Sequence, residues 1–580
     1  DKYWEKQVLT LDIQALKFYS RESNEATHIF NVKTELNMVG KVEFSETQIR
    51  DYFMGVNGDN LLAIRGDKNV YIWWRGKWQC DDGAILGHAL IQMVQKLYIS
   101  TLSWYKNELE KAVKREDWLE NEENKGHEVP AELQGTERSA CADSIKNLSK
   151  AMKRYGNGSN TNVRKLIVEQ LRSYALPFDP FDQKHHLFCF TNAVFNVTSG
   201  TFVKASKYDY CLMTCGKPWI PPGSQERAKV AQMFESTLPD PEIRRGYVSV
   251  LKSGLSGTRP ENFTLANGGG RNGKGMLNEN AVHCAGDYAV EMHLALLTKP
   301  IKDGPNPEAA GMHRKRLAIA SEPEEGLGEP LRLSNIKKLT GCPEINARMC
   351  HSNATKTELC ATIIMECNKQ PAITGEKGEA ALDRIRLFPF EQTFTSDVSK
   401  LMADPDNYKP IDLSLKTPDF KERHRCAFFE YLMRNGGNAA WFPDKTKALG
   451  AKYLEENDSL ALWFIDVYER DEQRPIIHFL SIKDILKEYK ESEDYQLMSK
   501  AEKRRVKEVS FTEDIKKNLL LKKDVVAPMK VSVSVNGQLK RNTRLGLVHW
   551  KKKVKDDDSM DDFGETREVG GGWDLSSQFG

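Results

Sequence analysis

The chain has 580 residues, and 84 basic against 82 acidic residues leave a formal net charge of +2. That length is too great for one hydrophobic core and points to about three or four domains, while near-neutrality excludes a globally basic surface and confines any nucleic-acid contact to a local patch. No apolar run approaches the length of a membrane span and no secretory signal opens the sequence, so no membrane partner is expected.

The eleven cysteines are scattered, mostly in apolar contexts such as Cys189, Cys360 and Cys367. Without paired C-x-x-C ligands they predict reduced thiols in an intracellular compartment, not a zinc site or disulfides. The first residue is Asp1, which suggests a natural start upstream.

Taken in order, residues 1–104 mix helical and strand signals as an α+β region. Asn69–Trp74 and Gly76–Trp78 read as an aromatic hairpin around Arg75-Gly76. Its tryptophans either pack within a small sheet or stack on nucleotide bases beside Arg65, Arg75 and Lys77. Leu90 to Trp118 has helical spacing through Leu97, Leu102, Leu109 and Val113. Glu116 to Glu137 is acidic and reads as a solvated loop, and helical periodicity returns from Ala140 to Arg172. Leu187–Asn196, followed by Gly200–Phe202, reads as a strand entering a hairpin. The proline-rich joint Pro218–Gly223 closes a region expected at 105–225.

Two helical segments over 226–253 lead to Leu265-Ala266-Asn267-Gly268-Gly269-Gly270-Arg271-Asn272-Gly273-Lys274-Gly275. A buried strand, clustered glycines, a lysine and then a helix from Met276 is the layout of a phosphate-binding loop. Glycine lets successive backbone N–H groups turn inward around an anion, and Lys274 would reach the β- and γ-phosphates of ATP. The whole run from Gly268 to Met276 is expected to contact the phosphates. Gly275 stands where Ser or Thr would hold Mg²⁺. A plain glycine-rich surface loop is the other reading.

Leu317–Glu322 and Ala361–Asn368 are short apolar runs ending in a polar residue. They have the length of buried parallel strands, and strands alternating with helices imply a doubly wound α/β domain whose ligands gather at the strands' carboxyl ends. Phosphoryl transfer needs placed phosphates, a metal, an oriented water and positive charge near the γ-phosphate. Glu322 could polarise that water or hold Mg²⁺ through a water molecule, and Asn368 could hydrogen-bond the water or the γ-phosphate. Alternatively Glu322 caps a turn and Asn368 is a loop residue. Arg384 and Arg386, beside an apolar run, read as surface salt bridges or, in a ring, as an arginine finger on a neighbour's ATP.

Beyond Phe394 the signals are helical, clearest at Arg423–Arg434, Ala448–Glu456, Leu460–Glu469 and Ile482–Tyr489. A basic stretch, Lys500–Lys507, precedes a hairpin expected from Met529–Val535, Gly537 and Leu545–Trp550, which suggests a winged-helix-like domain over 441–553. Residues 554–580 are acidic, glycine-rich and poor in apolar residues, and read as a disordered tail.

Gly268-Gly-Gly-Arg-Asn-Gly-Lys274, then Arg316-Leu-Ala-Ile-Ala-Ser-Glu322, Leu339-Thr-Gly341, Ala347-Arg348, Cys367-Asn-Lys-Gln-Pro371 and Asp383-Arg-Ile-Arg-Leu-Phe-Pro-Phe390 follow one another in an order that resembles the superfamily 3 helicases. Within these the chain is similar to the poxvirus-type primase-helicase family of large DNA viruses, phages and mobile elements. Phe178–Tyr210 is similar to the accessory domain that precedes the helicase there. The resemblance implies an AAA+ P-loop ATPase core over 226–440 that assembles as a homo-hexamer. It implies ATP- and Mg²⁺-dependent unwinding of forked DNA, with translocation on single-stranded DNA, at viral replication sites in the host cytoplasm or nucleus.

By position, the resemblance makes Lys274 the Walker A lysine, Glu322 the Walker B acid, Asn368 the sensor and Arg384 the arginine finger, with Arg386 as runner-up. Ser321 stands where a first Walker B acid is often found, so Glu322 is expected to act without an acidic partner. A hairpin between Arg348 and Glu358 is implied to enter the ring channel and track single-stranded DNA. Lys356 and His351 are its expected phosphate contacts, Asn353 lies between them, and Arg348, Lys337 and Lys338 support them. A plain solvated hairpin is the alternative. No primase Asp-x-Asp motif is seen in residues 1–104, and an upstream primase fits the missing start. The tail, with Trp573-Asp574-Leu575 and Phe579, either docks other replication proteins or is plain disordered chain. Two further classes stay open: a non-processive AAA+ origin-binding or loading ATPase, and a P-loop kinase with its acceptor pocket inside one subunit.

Overall fold

The computed structural model describes residues 45–553, apart from 75–76, 136, 156–159, 323–328, 349–355, 438, 474–478, 498–499, 505, 519, 526–528 and 536–537. It divides into two compact units, Asp1–Thr374 with Asp383–Gly450, and Gly375–Leu382 with Ala451–Gly580. The fold is mixed α/β, built around a five-stranded parallel sheet. Among the described residues no helix is long and apolar enough to cross a membrane.

The first unit opens with α1 (Glu46–Asn57) and an antiparallel sheet of β1 (Leu61–Ala63), β2 (Val70–Trp74) and β3 (Lys77–Asp81). Three helices follow: α2 (Ala84–Glu120), α3 (Arg138–Tyr155) and α4 (Thr161–Ser173). Ile49 and Phe53 of α1, Leu90 of α2 and Val163 and Ile167 of α4 close one core with these strands. The four-residue spacing of Ile49 with Phe53 and of Val163 with Ile167 is what makes these helices bury one face. The hairpin lies where the aromatic run predicts it, and Trp78 follows the packing reading. It is 3% exposed, stacks on Tyr210 and donates its indole N–H to Lys207 O at 2.8 Å.

Helix α2 runs through the 104/105 division expected from the sequence and ends at Glu120, two residues beyond the expected helix end at Trp118 and within the acidic stretch read as loop. The charge density of its last turns belongs to a solvated helix laced by pairs such as Lys114–Glu110 at 2.8 Å.

A second antiparallel sheet, β4 (Leu187–Cys189), β5 (Val194–Asn196) and β6 (Thr201–Val203), packs Phe188, Phe195 and Phe202 into the main core. Helices α5 (Ser224–Thr237) and α6 (Pro241–Ser256) precede the parallel strands. Those strands are β7 (Phe263–Asn267), β8 (Ala289–Glu291), β9 (Leu317–Ser321), β10 (Thr362–Cys367) and β11 (Ile385–Pro389), in the order β11-β7-β10-β9-β8. Between β7 and β8 runs α7 (Lys274–Ala285), α8 (Leu333–Gly341) lies between β9 and β10, and α9 (Pro418–Asn435) follows β11.

The strands are near-continuous apolar runs because helices cover both faces of a parallel sheet. Their carboxyl ends meet on one edge: Cys367 is level with Asn267, and Glu366 with Ser321. Helix α6 is the most deeply buried. Asp240 caps it by accepting from the N–H groups of Glu242 and Ile243, and Pro241 fills its first turn. Gly246 lets it approach Pro443, whose Cδ would lie 2.5 Å from an added Cβ. Gly246→Ala is expected to cost about 1–3 kcal/mol by overpacking. The check is a lower denaturant midpoint at unchanged slope.

The second unit holds α10 (Ser459–Val467), β12 (Tyr468–Arg470), β13 (Leu480–Ser481), α11 (Ile482–Glu491) and α12 (Glu508–Lys517). The strands β14 (Met529–Val535), β15 (Gln538–Arg544), β16 (Gly546–Leu547) and β17 (Trp550–Lys552) complete it. Phe464, Ile485, Phe511, Ile515, Leu547 and Trp550 form its core. One expectation is corrected here. Met529–Val535 pairs with Gln538–Arg544, starting at Val535↔Gln538, and not with Leu545–Trp550. That later stretch instead divides between β16, paired with β13, and β17, paired with β12. The polar run Lys540–Arg544 hides its strand from an apolar pattern, yet only two residues separate it from β14, and such a short connection sets the register.

Candidate functional site

The glycine-rich loop is anchored to both strands that flank β7. Gly268 N–H donates to Cys367 O at 3.2 Å, and Phe390 N–H donates to Asn267 O at 2.7 Å. The chain then doubles back, with Gly270 N–H donating to Gly268 O at 2.8 Å. No side chain fits at position 268, where a Cβ would lie 2.0 Å from Asn272 Nδ2 and 2.5 Å from Phe390 O. Gly273, at φ 81, supplies the left-handed turn that starts α7. Arg271 also has positive φ, at 50, and its carbonyl accepts from Phe394 N–H.

This geometry brings the first turn of α7, with the backbone N–H groups of Gly275 and Met276, to a cavity of about 970 Å³. Such amides have no intrahelical acceptor and carry the positive end of the helix dipole. Gly270 through Met276 line the cavity, while Gly268 and Gly269 are outside its lining. The side chain of Met276 is buried in the main core.

Lys274, Asn368 and Glu322 come from different strand ends and meet here. Lys274 Nζ donates to Asn368 Oδ1 at 2.7 Å and to Gly268 O at 3.0 Å. Burial holds its pKa below that of an ordinary lysine, against the pull of Glu366 and Glu322. Asn368 N–H in turn donates to Glu322 Oε2 at 2.7 Å, and Lys369 N–H reaches the same oxygen at 3.4 Å. Glu322 thus caps the turn after the neighbouring strand β10 and lines the cavity as well. Lys229, Lys409 and Lys416 add positive charge to the walls.

Sequence reasoning missed Glu366. It stands in β10, level with Ser321 of β9, and its carboxylate reaches the cavity. Asn278 Nδ2 donates to Glu366 Oε1 at 2.7 Å, and Asn278 Oδ1 accepts from the buried Tyr247 hydroxyl at 2.6 Å. Burial raises the Glu366 carboxyl above the usual range, while the Asn278 hydrogen bond and the Lys274 charge oppose that rise. A charged residue inside the apolar run Ile363-Ile364-Met365-Glu366-Cys367 was the available signal, because acids are rarely buried without a task or a partner.

The two arginines differ. Arg384 lies at the opposite, amino-terminal edge of the sheet, where its carbonyl accepts from Phe263 N–H at 2.7 Å. Its Nη2 is 3.4 Å from Glu261, and 19% of its side chain is accessible. Arg386 is buried within β11, over the Phe442 ring at 5.4 Å. The sheet therefore brings neither arginine to the chain's own glycine-rich loop.

Lys356 is exposed and pairs with Glu344 at 2.7 Å, beside a short antiparallel pairing of Glu344–Ile345 with Thr357–Glu358. Arg348 is half-buried, in a two-residue pairing of Ala347–Arg348 with Gly304–Pro305. His351 and Asn353 lie outside the described residues, as do Trp573, Asp574, Leu575 and Phe579.

Among the described residues no group of three or more His, Cys, Asp or Glu side chains could hold a metal by itself. The residues still fit Mg²⁺ brought with a nucleotide, because that ion is ordinarily held by one or two carboxylates together with phosphate oxygens and water.

A protein-family model described as "D5 N terminal like" matches residues 47–240. Among curated proteins, the "Primase D5" of fowlpox virus is 26% identical over 282 residues, covering 47% of this chain and 35% of that protein. The "Uncoating factor OPG117" of vaccinia virus is 27% identical over 291 residues, covering 47% and 36% respectively. The "Putative helicase 184R" of Invertebrate iridescent virus 6 is 26% identical over 305 residues, covering 50% and 30%. The matched stretch thus spans about a third of the length of these relatives. A solved structure, the apo A form of the NrS-1 C-terminal region, is 10% identical with a TM-score of 0.33, over 67% of this chain and 88% of that one. By its family-model match and these curated relatives, the chain is similar to the poxvirus-type primase-helicase family.

Proposed function

We propose that this chain is the helicase part of a primase-helicase: an AAA+ ATPase that assembles as a homo-hexameric ring and uses ATP with Mg²⁺ to unwind forked DNA during genome replication. One observation carries the reading. Lys274, Asn368 and Glu322, from three adjacent parallel strands, converge on a glycine-built anion cradle at the mouth of one cavity. Similarity to the family supplies the direction of that chemistry, and the name of the Invertebrate iridescent virus 6 relative points the same way.

In this reading the loop amides and Lys274 grip the phosphates. Asn368, held between Lys274 and Glu322, is placed to hydrogen-bond an attacking water or the γ-phosphate. Glu322 orients Asn368 through its backbone N–H and is the acid facing that water. Mg²⁺, when bound, would neutralise charge developing on the β- and γ-phosphates. Arg384 lies at the far edge of the sheet from the glycine-rich loop, so it can serve a phosphate only across a subunit boundary. That requirement supports a ring over a kinase whose groups all sit in one chain.

Lys356, exposed beside the paired segments 344–345 and 357–358, is the proposed channel contact for single-stranded DNA. Lys356→Ala should reduce DNA-stimulated ATP turnover and fork unwinding about tenfold or more while leaving DNA-free turnover within twofold, since losing phosphate contacts weakens binding without touching the nucleotide. The check is a strand-separation assay on forks of both polarities. Unwinding at the wild-type rate would remove Lys356 from the channel. ATP hydrolysis without strand separation on any fork would favour an origin-loading ATPase.

A further inference from the structure

Two positions where a P-loop ATPase ordinarily carries metal-side groups are unusual in this chain. Position 275 is glycine in place of Ser or Thr, and position 321 is serine where a first acid is often found. A single residue faces both. Glu366 is level with Ser321 across the β9–β10 pairing, and a Cβ built on Gly275 would lie 3.5 Å from Glu366 Oε2. We propose that Glu366 replaces both missing groups as the carboxylate that holds the divalent cation accompanying the nucleotide, and that Gly275 keeps open the space this carboxylate uses. The proposal rests on the ATPase reading above and assigns its metal side to a residue outside the recognised motifs.

The geometry supports the exchange in three ways. First, the carboxylate is oriented and not loose. Oε1 is fixed by Asn278, itself held by Tyr247 from α6, which leaves Oε2 as the oxygen turned to the first turn of α7. Second, Glu366 has no ion-pair partner within 4.0 Å among the described residues, although it is half-buried in a strand whose neighbouring side chains Ile363, Ile364 and Met365 are apolar. A half-buried carboxylate with one hydrogen bond and no paired counter-charge is costly, and a cation beside it offsets that cost. Third, the other acid near Gly275 is already committed. Glu279 lies 4.0 Å from the same built Cβ but pairs with Lys421 at 2.6 Å and Lys416 at 3.8 Å. Glu322 is engaged by the N–H groups of Asn368 and Lys369.

The test uses Mn²⁺ as the probe, read by electron paramagnetic resonance with a non-hydrolysable β,γ-imido analogue of ATP, beside analogue binding in EDTA. In the full chain, Glu366→Gln keeps an acceptor for Asn278 but loses the charge. It should weaken Mn²⁺ capture at least tenfold while changing metal-free analogue binding less than twofold. Glu366→Asp, which keeps the charge, should retain most of the capture. Gly275→Ser/Glu366→Gln should regain a substantial part, because the hydroxyl returns to the place where most P-loops carry it. Mn²⁺ capture surviving in Glu366→Gln, or equal loss in the Gln and Asp variants, overturns the assignment, the second outcome marking a strand-packing role. Analogue that binds neither with Mn²⁺ nor in EDTA overturns the ATPase reading itself, and this assignment with it.

Discussion

Lys274→Ala is expected to lower ATP turnover by about 10²–10³-fold, the usual effect of removing one pre-placed donor from a developing anion. The site explains why no neighbour can substitute. Lys274 Nζ is 2.7 Å from Asn368 Oδ1 and 3.0 Å from Gly268 O, so backbone and side-chain acceptors hold it over the loop. Lys229, Lys409 and Lys416 lie on the outer walls; Lys229 is drawn to Asp412 at 2.9 Å and Lys416 towards Glu279.

Stability should move little in this variant. Burial disfavours the Lys274 charge, and the alanine removes that cost together with three hydrogen bonds. The measurement is steady-state phosphate release beside a thermal melt. Turnover within tenfold of wild type, at an unchanged melting temperature, would sink the role given to Lys274.

The part of this site legible in the sequence was the part that obeys local rules. The loop between Gly268 and Lys274 needs glycine where no Cβ fits, and such demands leave a mark in residue order. Glu322 and Asn368 were legible because apolar strands that end in a polar residue announce a carboxyl edge. The strand order was not legible. Nothing between residues 263 and 390 says that β10 inserts between β7 and β9, yet that insertion brings Asn368 to Lys274 and Glu366 to Ser321.

Glu366 was missed for the same reason. Its partners Asn278 and Tyr247 lie 88 and 119 residues away in the chain, and α6 and α7 deliver them only after the sheet has formed. Charge also misled where it stood for solvent. The acidic run to Glu120 is the end of a helix, and the charged run Lys540–Arg544 is a strand paired with Met529–Val533 across a hairpin.

Arg384→Ala should lower turnover by about 10³–10⁵-fold if it works as an arginine finger, and should do so without loss of folding. The fold sets the second half of that expectation. The Arg384–Glu261 contact is 3.4 Å long and Glu261 is largely exposed, so losing that ion pair alone costs at most about 1 kcal/mol, and a thermal melt beside the turnover assay reads what the lost packing of the mostly covered side chain adds. Arg386, buried against Phe442, behaves differently: its truncation should destabilise the sheet edge, and lost turnover there would track lost protein.

Subunit mixing separates the two mechanisms. Arg384→Ala subunits keep an intact Lys274, and Lys274→Ala subunits keep an intact Arg384. At equal random mixing in a head-to-tail ring, roughly a quarter of interfaces pair a working loop with a working finger. Turnover should therefore rise well above that of either variant alone and fall again as either subunit dominates. Turnover that stays at the level of the separate variants at every ratio would mean that Arg384 serves its own chain or none. The ring arrangement would then lose the geometric reason for placing the arginine at the far edge of the sheet from the phosphate loop.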